Sequence, residues 1–169
     1  MLPTMEEAVM HQVFALSETG YDSLKLIHVL AAIAWVGAGA YAQVYASRLI
    51  AQEDLVQLAG FAKQLEKIAL IYIMPMSILV IVSGVVLVWL SPLDFTTTWV
   101  WLGLIGYAAT FVTGAFFLGP EAGRLGKLVD ERPAEDPEIQ RRIRRILMIS
   151  RIDLLVLVLV VADMVVKPG

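Results

Sequence analysis

Of the few ionisable side chains inside the apolar stretches of this chain, His28 and Asp153 are the two least easily read as packing. An imidazole titrates near neutrality and can also ligate a metal or a haem iron through a ring nitrogen. The alternative for His28 is a neutral ring hydrogen-bonded to a carbonyl or hydroxyl on a neighbouring helix. On a helix turning about 100° per residue, His28, Trp35 and Gly39 share one stripe, flanked by Ala31, Ala32 and Ala42. Small residues there admit either a neighbouring backbone or a flat ligand. Gly37 and Gly39 read as helix-packing contacts. Asp153 is a carboxylate that an apolar setting forces to be paired or protonated. Arg48, Arg124 and Arg151 are its candidate ion-pair partners, and a proton relay is the other reading.

Three methionines extend this set. Met164 lies eleven residues beyond Asp153 on the same helix face, at a depth that matches His28. A His28/Met164 axial pair on the iron of haem b is therefore open to it, against the plainer reading of flexible packing. Met74 and Met76 flank Pro75, and thioethers favour Cu(I). The two methionines point about 200° apart on a regular helix, so only a kink at the proline would let both reach one ion. Ordinary packing at such a kink is the competing reading. No cysteine is present, which removes disulfides, thiolate metal sites and thiol catalysis. There is no phosphate loop, nucleophile elbow or zinc motif. The net charge of −3 points away from nucleic acid.

The elements that must position these residues are long and apolar. Hydrophobic residues make up 59% of the chain and charged ones 17%, against about a quarter charged in soluble domains. The apolar residues fall in four blocks, approximately 24–50, 68–90, 99–118 and 146–166. About 20 apolar residues in a helix cross the ~30 Å hydrocarbon core, and lipid demands that the backbone satisfy its own hydrogen bonds. The fold expected is an all-α membrane protein, a bundle of four transmembrane helices in one domain. The first block is preceded by Glu6 and Glu7 and is too long for a signal peptide, so it reads as retained.

Lys and Arg set the direction. Residues 121–145 form a basic loop carrying Arg124, Lys127, Arg132, Arg141, Arg142, Arg144 and Arg145. Arg48, Lys63 and Lys67 mark the first loop, and residues 91–98 hold no cation. Both basic loops are expected in the cytoplasm and both termini outside. Trp89, Trp99 and Trp101 read as an outer aromatic belt, and Arg141 to Arg145 as topology-setting charge or an anionic-lipid contact. Residues 3–16 suggest a short amphipathic surface helix. Residues 54–67 extend the second span, and Asp136-Pro137 reads as a cap and first residue of the fourth helix.

The first helix, LKLIHVLAAIAWVGAGAY, and the tail, DLLVLVLVVADMVVKPG, with Gly119-Pro120 and Arg124 after the third span, carry a likeness. The chain resembles the small predicted integral membrane proteins of domain of unknown function twenty-two sixty-nine. That family is similar in turn to HemJ-type protoporphyrinogen oxidases and CopD-type copper-resistance proteins. The resemblance implies a bacterial plasma-membrane protein in which His28, with Lys25 three residues earlier, matches a haem-ligating histidine. The Pro-Arg-Leu element of the HemJ type survives here only as Arg48-Leu49. Three functions follow as expectations. The first is a haem b protein serving redox or electron transfer through His28, Trp35 and Met164. The second is an accessory subunit of a larger membrane complex or homo-oligomer, and the third a Cu(I)-handling protein.

Overall fold

A computed structural model describes the backbone of residues 5–168 and the side chains of residues 18–168. Four long helices make up the fold: α1 (Met5–Ala51), α2 (Leu55–Trp89), α3 (Thr98–Glu131) and α4 (Pro137–Val166), with no strand among the described residues. The surface helix expected over 3–16 is not separate. From Met5 its backbone runs unbroken into α1, while Pro3, Thr4 and the side chain of His11 lie outside the described residues. Three helices, 18–51, α2 and α3, are long and apolar enough to cross a membrane. Helix α4, at 30 residues, is also long enough, but its apolar half carries Arg151, Asp153 and Asp163.

The basic loop expected over 121–145 shrinks to five residues, 132–136. Helix α3 continues to Glu131 because that segment is amphipathic: Glu121, Ala122, Leu125 and Gly126 recur on one buried face. Helix α4 begins as its sequence dictates. Pro137 opens the first turn, and the Asp136 carboxylate accepts the Glu138 N–H at 2.8 Å. The same device starts α2, where Asp54 accepts the Gln57 N–H at 3.0 Å. Glu53, at φ 57°, supplies the left-handed residue that turns the chain between α1 and α2.

Both central helices contain one widened turn. Residues Ala69–Ile73 and Thr113–Leu118 are π-helical, with Met74 N–H bonding Ala69 O and Gly119 N–H bonding Gly114 O. A proline follows each, Pro75 and Pro120. Proline lacks an N–H, and its ring clashes with the carbonyl four residues back, which lies in the widened turn both times. The kink expected at Pro75 is thus resolved as a slip of the hydrogen-bond ladder, and Pro120 does the same.

These turns mark where the helices change neighbours. Residues 55–68 of α2 pack on 119–131 of α3, whereas residues 74–89 of α2 turn to α1 and residues 98–112 of α3 turn to α4. One end of the bundle, holding residues 52–54 and 132–136, is called the basic end; the other, holding residues 90–97, the loop end. The fully buried apolar cluster sits at the basic end and includes Ala46, Leu49, Leu58, Leu125, Ile139 and Ile143. Towards the loop end large apolar side chains face outward instead, with Ile71 77% and Phe116 75% exposed. That is the surface of a body whose flanks are solvated by hydrocarbon.

Ion pairs close the basic end. Arg142 bonds Glu121 at 2.5 Å and Glu138 at 3.0 Å, Arg132 bonds Glu138 at 2.9 Å, and Lys63 pairs with Asp130. Hydrogen bonding from Arg142, aided by the charge of Arg132, holds the Glu138 carboxyl below its usual range.

Leu125→Ala, at 0% exposure in this core, is expected to destabilise the protein by about 2–5 kcal/mol, read as a lowered Tm in detergent. Because the Glu138 carboxyl is depressed in the fold, its contribution exists above the unfolded carboxylate pKa of about 4.3. It disappears as pH falls through the folded value. The stability difference between wild type and Glu138→Gln should therefore be present at pH 7 and shrink as pH falls from about 4.3 through the lower folded value, measured by thermal melts across that range.

Candidate functional site

Glycines seat the side chains that the sequence singles out. A Cβ built on Gly84 of α2 would stand 3.0 Å from the His28 Cε1, so the ring lies almost on the α2 backbone. His28 Nδ1 is 3.0 Å from both the Val80 carbonyl and the Ser83 hydroxyl oxygen. A carbonyl only accepts, so Nδ1 carries the proton. Ser83 spends its own proton on the Leu79 or Val80 carbonyl and receives from the ring. The other nitrogen, Nε2, is left with its lone pair and has no hydrogen-bond partner among the described residues.

Met164 occupies a comparable notch on a different helix. A Cβ on Gly103 of α3 would collide with the Met164 methyl group, and one on Gly106 with Val160. Gly39 faces Leu154 at 3.5 Å and Gln43 reaches Ser150, and this antiparallel register carries Met164 to the level of His28, as expected. The two are seated on different helices, however: His28 rests on α2, and the Met164 tip is plugged into the Gly103 notch of α3. Met164 is a packing knob. Of the two, His28 has one ring N–H held by a carbonyl and the other nitrogen free. Gly37, expected to be a packing contact, meets nothing within 4 Å, whereas Gly39 makes its contact.

The remaining candidates separate in the same way. Arg124 lies 3.6 Å from Glu121, Arg48 is exposed, and Arg151 donates to the Gln43 side-chain oxygen and the Ser47 hydroxyl at 3.1 Å each. None reaches Asp153, which has neither a hydrogen bond nor an ion pair among the described residues. Met74 and Met76 diverge: only Met74 lines the central cavity. The copper reading requires both thioethers at one point.

That cavity has a volume of about 460 Å3, and all four helices line it. Trp35, Gly39 and Gln43 come from α1, Met74 and Ser77 from α2, Thr110 and Phe111 from α3, and Ser150, Asp153 and Leu157 from α4. Both π turns border it, since it opens where α2 and α3 part company. Trp35 meets the edge of Tyr107 with ring centroids 5.7 Å apart, so the tryptophan is held at the cavity wall. Glu66 also lines the cavity and leans on Gly123 of α3.

Sequence reasoning passed over Gln43, buried inside a span, although a buried amide there must find partners. Its Nε2 donates to the Leu147 carbonyl at 3.3 Å and to Ser150 while its oxygen accepts from Arg151, which ties α1 to α4. Glu66 was also legible as an acid next to a span. His28's partners were not, because Val80 and Ser83 lie over fifty residues away in sequence.

An all-helical bundle with outward-facing apolar flanks, spans of membrane length and charges gathered at one end is an integral membrane protein. The chain belongs to the family described as predicted integral membrane protein (DUF2269), whose profile matches residues 22–168. No curated protein and no solved structure matches it.

Two measurements check this geometry. With His11→Gln leaving one histidine, the nitrogen-15 spectrum should show His28 protonated at Nδ1 and bare at Nε2; the opposite tautomer would contradict the hydrogen bond to Val80. Gly106→Ala forces its Cβ into the stiff Val160 side chain and should cost about 1–3 kcal/mol. The Gly106→Ala, Val160→Ala pair should regain part of that loss in thermal melts.

Proposed function

We propose that this protein crosses the membrane four times and holds a lipophilic small molecule in its central cavity. The observation that carries the reading is the cavity itself. It is mostly apolar, it lies level with the spans, and it contains an unpartnered carboxylate and a fixed tryptophan. Such pockets between the helices of a bundle are where small molecules bind. The gap between residues 74–89 and 98–112 offers a way in from the bilayer side.

Helix α4 supplies the fourth crossing. Ile152, Leu155, Val158, Leu159 and Val165 are all exposed, as a lipid-facing stripe requires. Two of its polar groups turn to the bundle, with Arg151 on Gln43 and Ser47 and Asp153 in the cavity. On the charge bias of the loops, the basic end faces the cytoplasm and both termini face out.

Haem b held by His28 is a second reading, favoured by the free Nε2 described above. Bound there, haem would supply one-electron chemistry. Residues of this chain would orient His28 through Val80 and Ser83, with Gly84 seating the ring against α2.

Three experiments decide between these. The chain has no cysteine, so single cysteines at Ser91, Ala134 and Pro168 can be labelled in intact cells with an impermeant maleimide. Labelling of positions 91 and 168 but not 134 is expected; labelling of 134 together with 168 would mean three crossings. An organic extract of the purified protein should contain a bound lipophile that is lost from Gly114→Phe, a position on the cavity wall where an added Cβ meets nothing within 4 Å. An extract no different from that of an unrelated membrane protein would end the cavity reading. Purified from haem-replete cells, a haem protein has a Soret band that His28→Ala removes, and a colourless preparation ends that second reading.

A further inference from the structure

The cavity carries charge of one sign only. Glu66 and Asp153 line it, and no lysine, arginine or histidine does. The nearby cations have other partners. Arg151 bonds Gln43 and Ser47, Arg142 bonds Glu121 and Glu138, and Lys63 bonds Asp130.

Its neutral polar groups are biased in the same direction. Ser77 and Thr110 are buried, and each donates its proton to a carbonyl of its own helix, Met74 O and Tyr107 O, at 2.9 Å. Ser150 donates to the Leu147 carbonyl at 3.4 Å, and the Gln43 amide nitrogen is spent on Leu147 and Ser150. What remains for a ligand is oxygen lone pairs, carboxylates, the faces of Trp35, Phe61 and Phe111, and a single donor, the Trp35 indole N–H, which has no hydrogen-bond partner among the described residues. The surface is rich in acceptors and poor in donors. Aromatic faces attract cations, and a carboxylate in an apolar surround calls for a counter-charge.

We propose that the cavity takes an amphipathic organic cation, with its charged head at the Asp153 carboxylate and its apolar body against the aromatic and aliphatic wall. This rests on the cavity being a ligand site and adds the class of ligand. An organic anion, or a neutral molecule recognised through its acceptors, would meet repulsion or unfilled hydrogen-bonding demand in the same space.

The test uses two ions of nearly the same shape and opposite charge, tetraphenylphosphonium and tetraphenylborate. Each is equilibrated with the full-length protein in lipid nanodiscs, against empty nanodiscs. Saturable, protein-dependent binding of the cation and none of the anion is expected. Asp153→Asn should weaken cation binding by about tenfold or more, as loss of a charged partner does, while Asp153→Glu retains most of it. Thermal melts confirm that both variants fold. Equal binding of the two ions, preference for the anion, or cation affinity unchanged in Asp153→Asn overturns the cation proposal while leaving a ligand site. Cation binding unchanged in Gly114→Phe places the ion outside the cavity and overturns the cation proposal, while the extract experiment still decides the cavity reading. Binding of neither ion also overturns the proposal, and the extract experiment then decides separately whether the cavity holds anything.

Discussion

Helices surrounded by hydrocarbon gain little by pressing apolar side chains against one another, because lipid tails offer the same contact. Association must come from close fit and from polar groups that find each other. This protein meets that requirement with glycine, one notch or more at every seam of the bundle. Gly84 receives His28 between α1 and α2, and Gly123 receives Glu66 between α2 and α3. Gly103 and Gly106 receive Met164 and Val160 between α3 and α4, and Gly39 meets Leu154 between α1 and α4. At that last seam the fit is reinforced by the bonds among Gln43, Ser47, Ser150 and Arg151. Where water returns, at the basic end, the helices revert to the usual solution, a sealed aliphatic core rimmed by ion pairs.

The cavity follows from the way those seams are arranged. Helix α2 pairs with α3 near the basic end and with α1 near the loop end, and α3 likewise exchanges α2 for α4. No arrangement of straight rods closes fully when two of them change partners midway. The space left behind is bordered by the two prolines' widened turns, and it is there that Asp153 lacks a partner. Asp153 there and Asp163 Oδ2 nearer the loop end are both left without a partner in a bundle that satisfies Gln43 and Glu121 thoroughly, and of the two it is Asp153 that lines the cavity.

Much of the architecture was legible beforehand. The four apolar blocks, the helix start at Asp136-Pro137 and the extension of the second helix over 54–67 all rest on local rules that the fold obeys. The site was less so. A residue's depth can be counted along a helix, so Met164 and His28 fall at one level as expected. Which neighbour each faces depends on seams set by distant glycines, and no periodicity reports that. Likewise Pro75 and Pro120 announced a disturbance. Whether a helix bends or slips at proline depends on how its far half must dock. The short reach of the loop over 132–136 was hidden by its arginines: Arg124 and Arg142 belong to helices whose opposite faces are buried.

Each widened turn also has a meaning in phase. A π turn holds one residue more than the helix around it needs, and one residue is worth about 100° of rotation. Everything beyond Ile73 on α2, and beyond Leu118 on α3, is therefore wound round by that angle relative to an uninterrupted helix. The extra residue acts as a gear step: it lets a single rod present one face to its first neighbour and a rotated face to the next without a break in the chain. Removing a residue from either turn would bring back the proline's clash and leave the second half of the helix facing the wrong way.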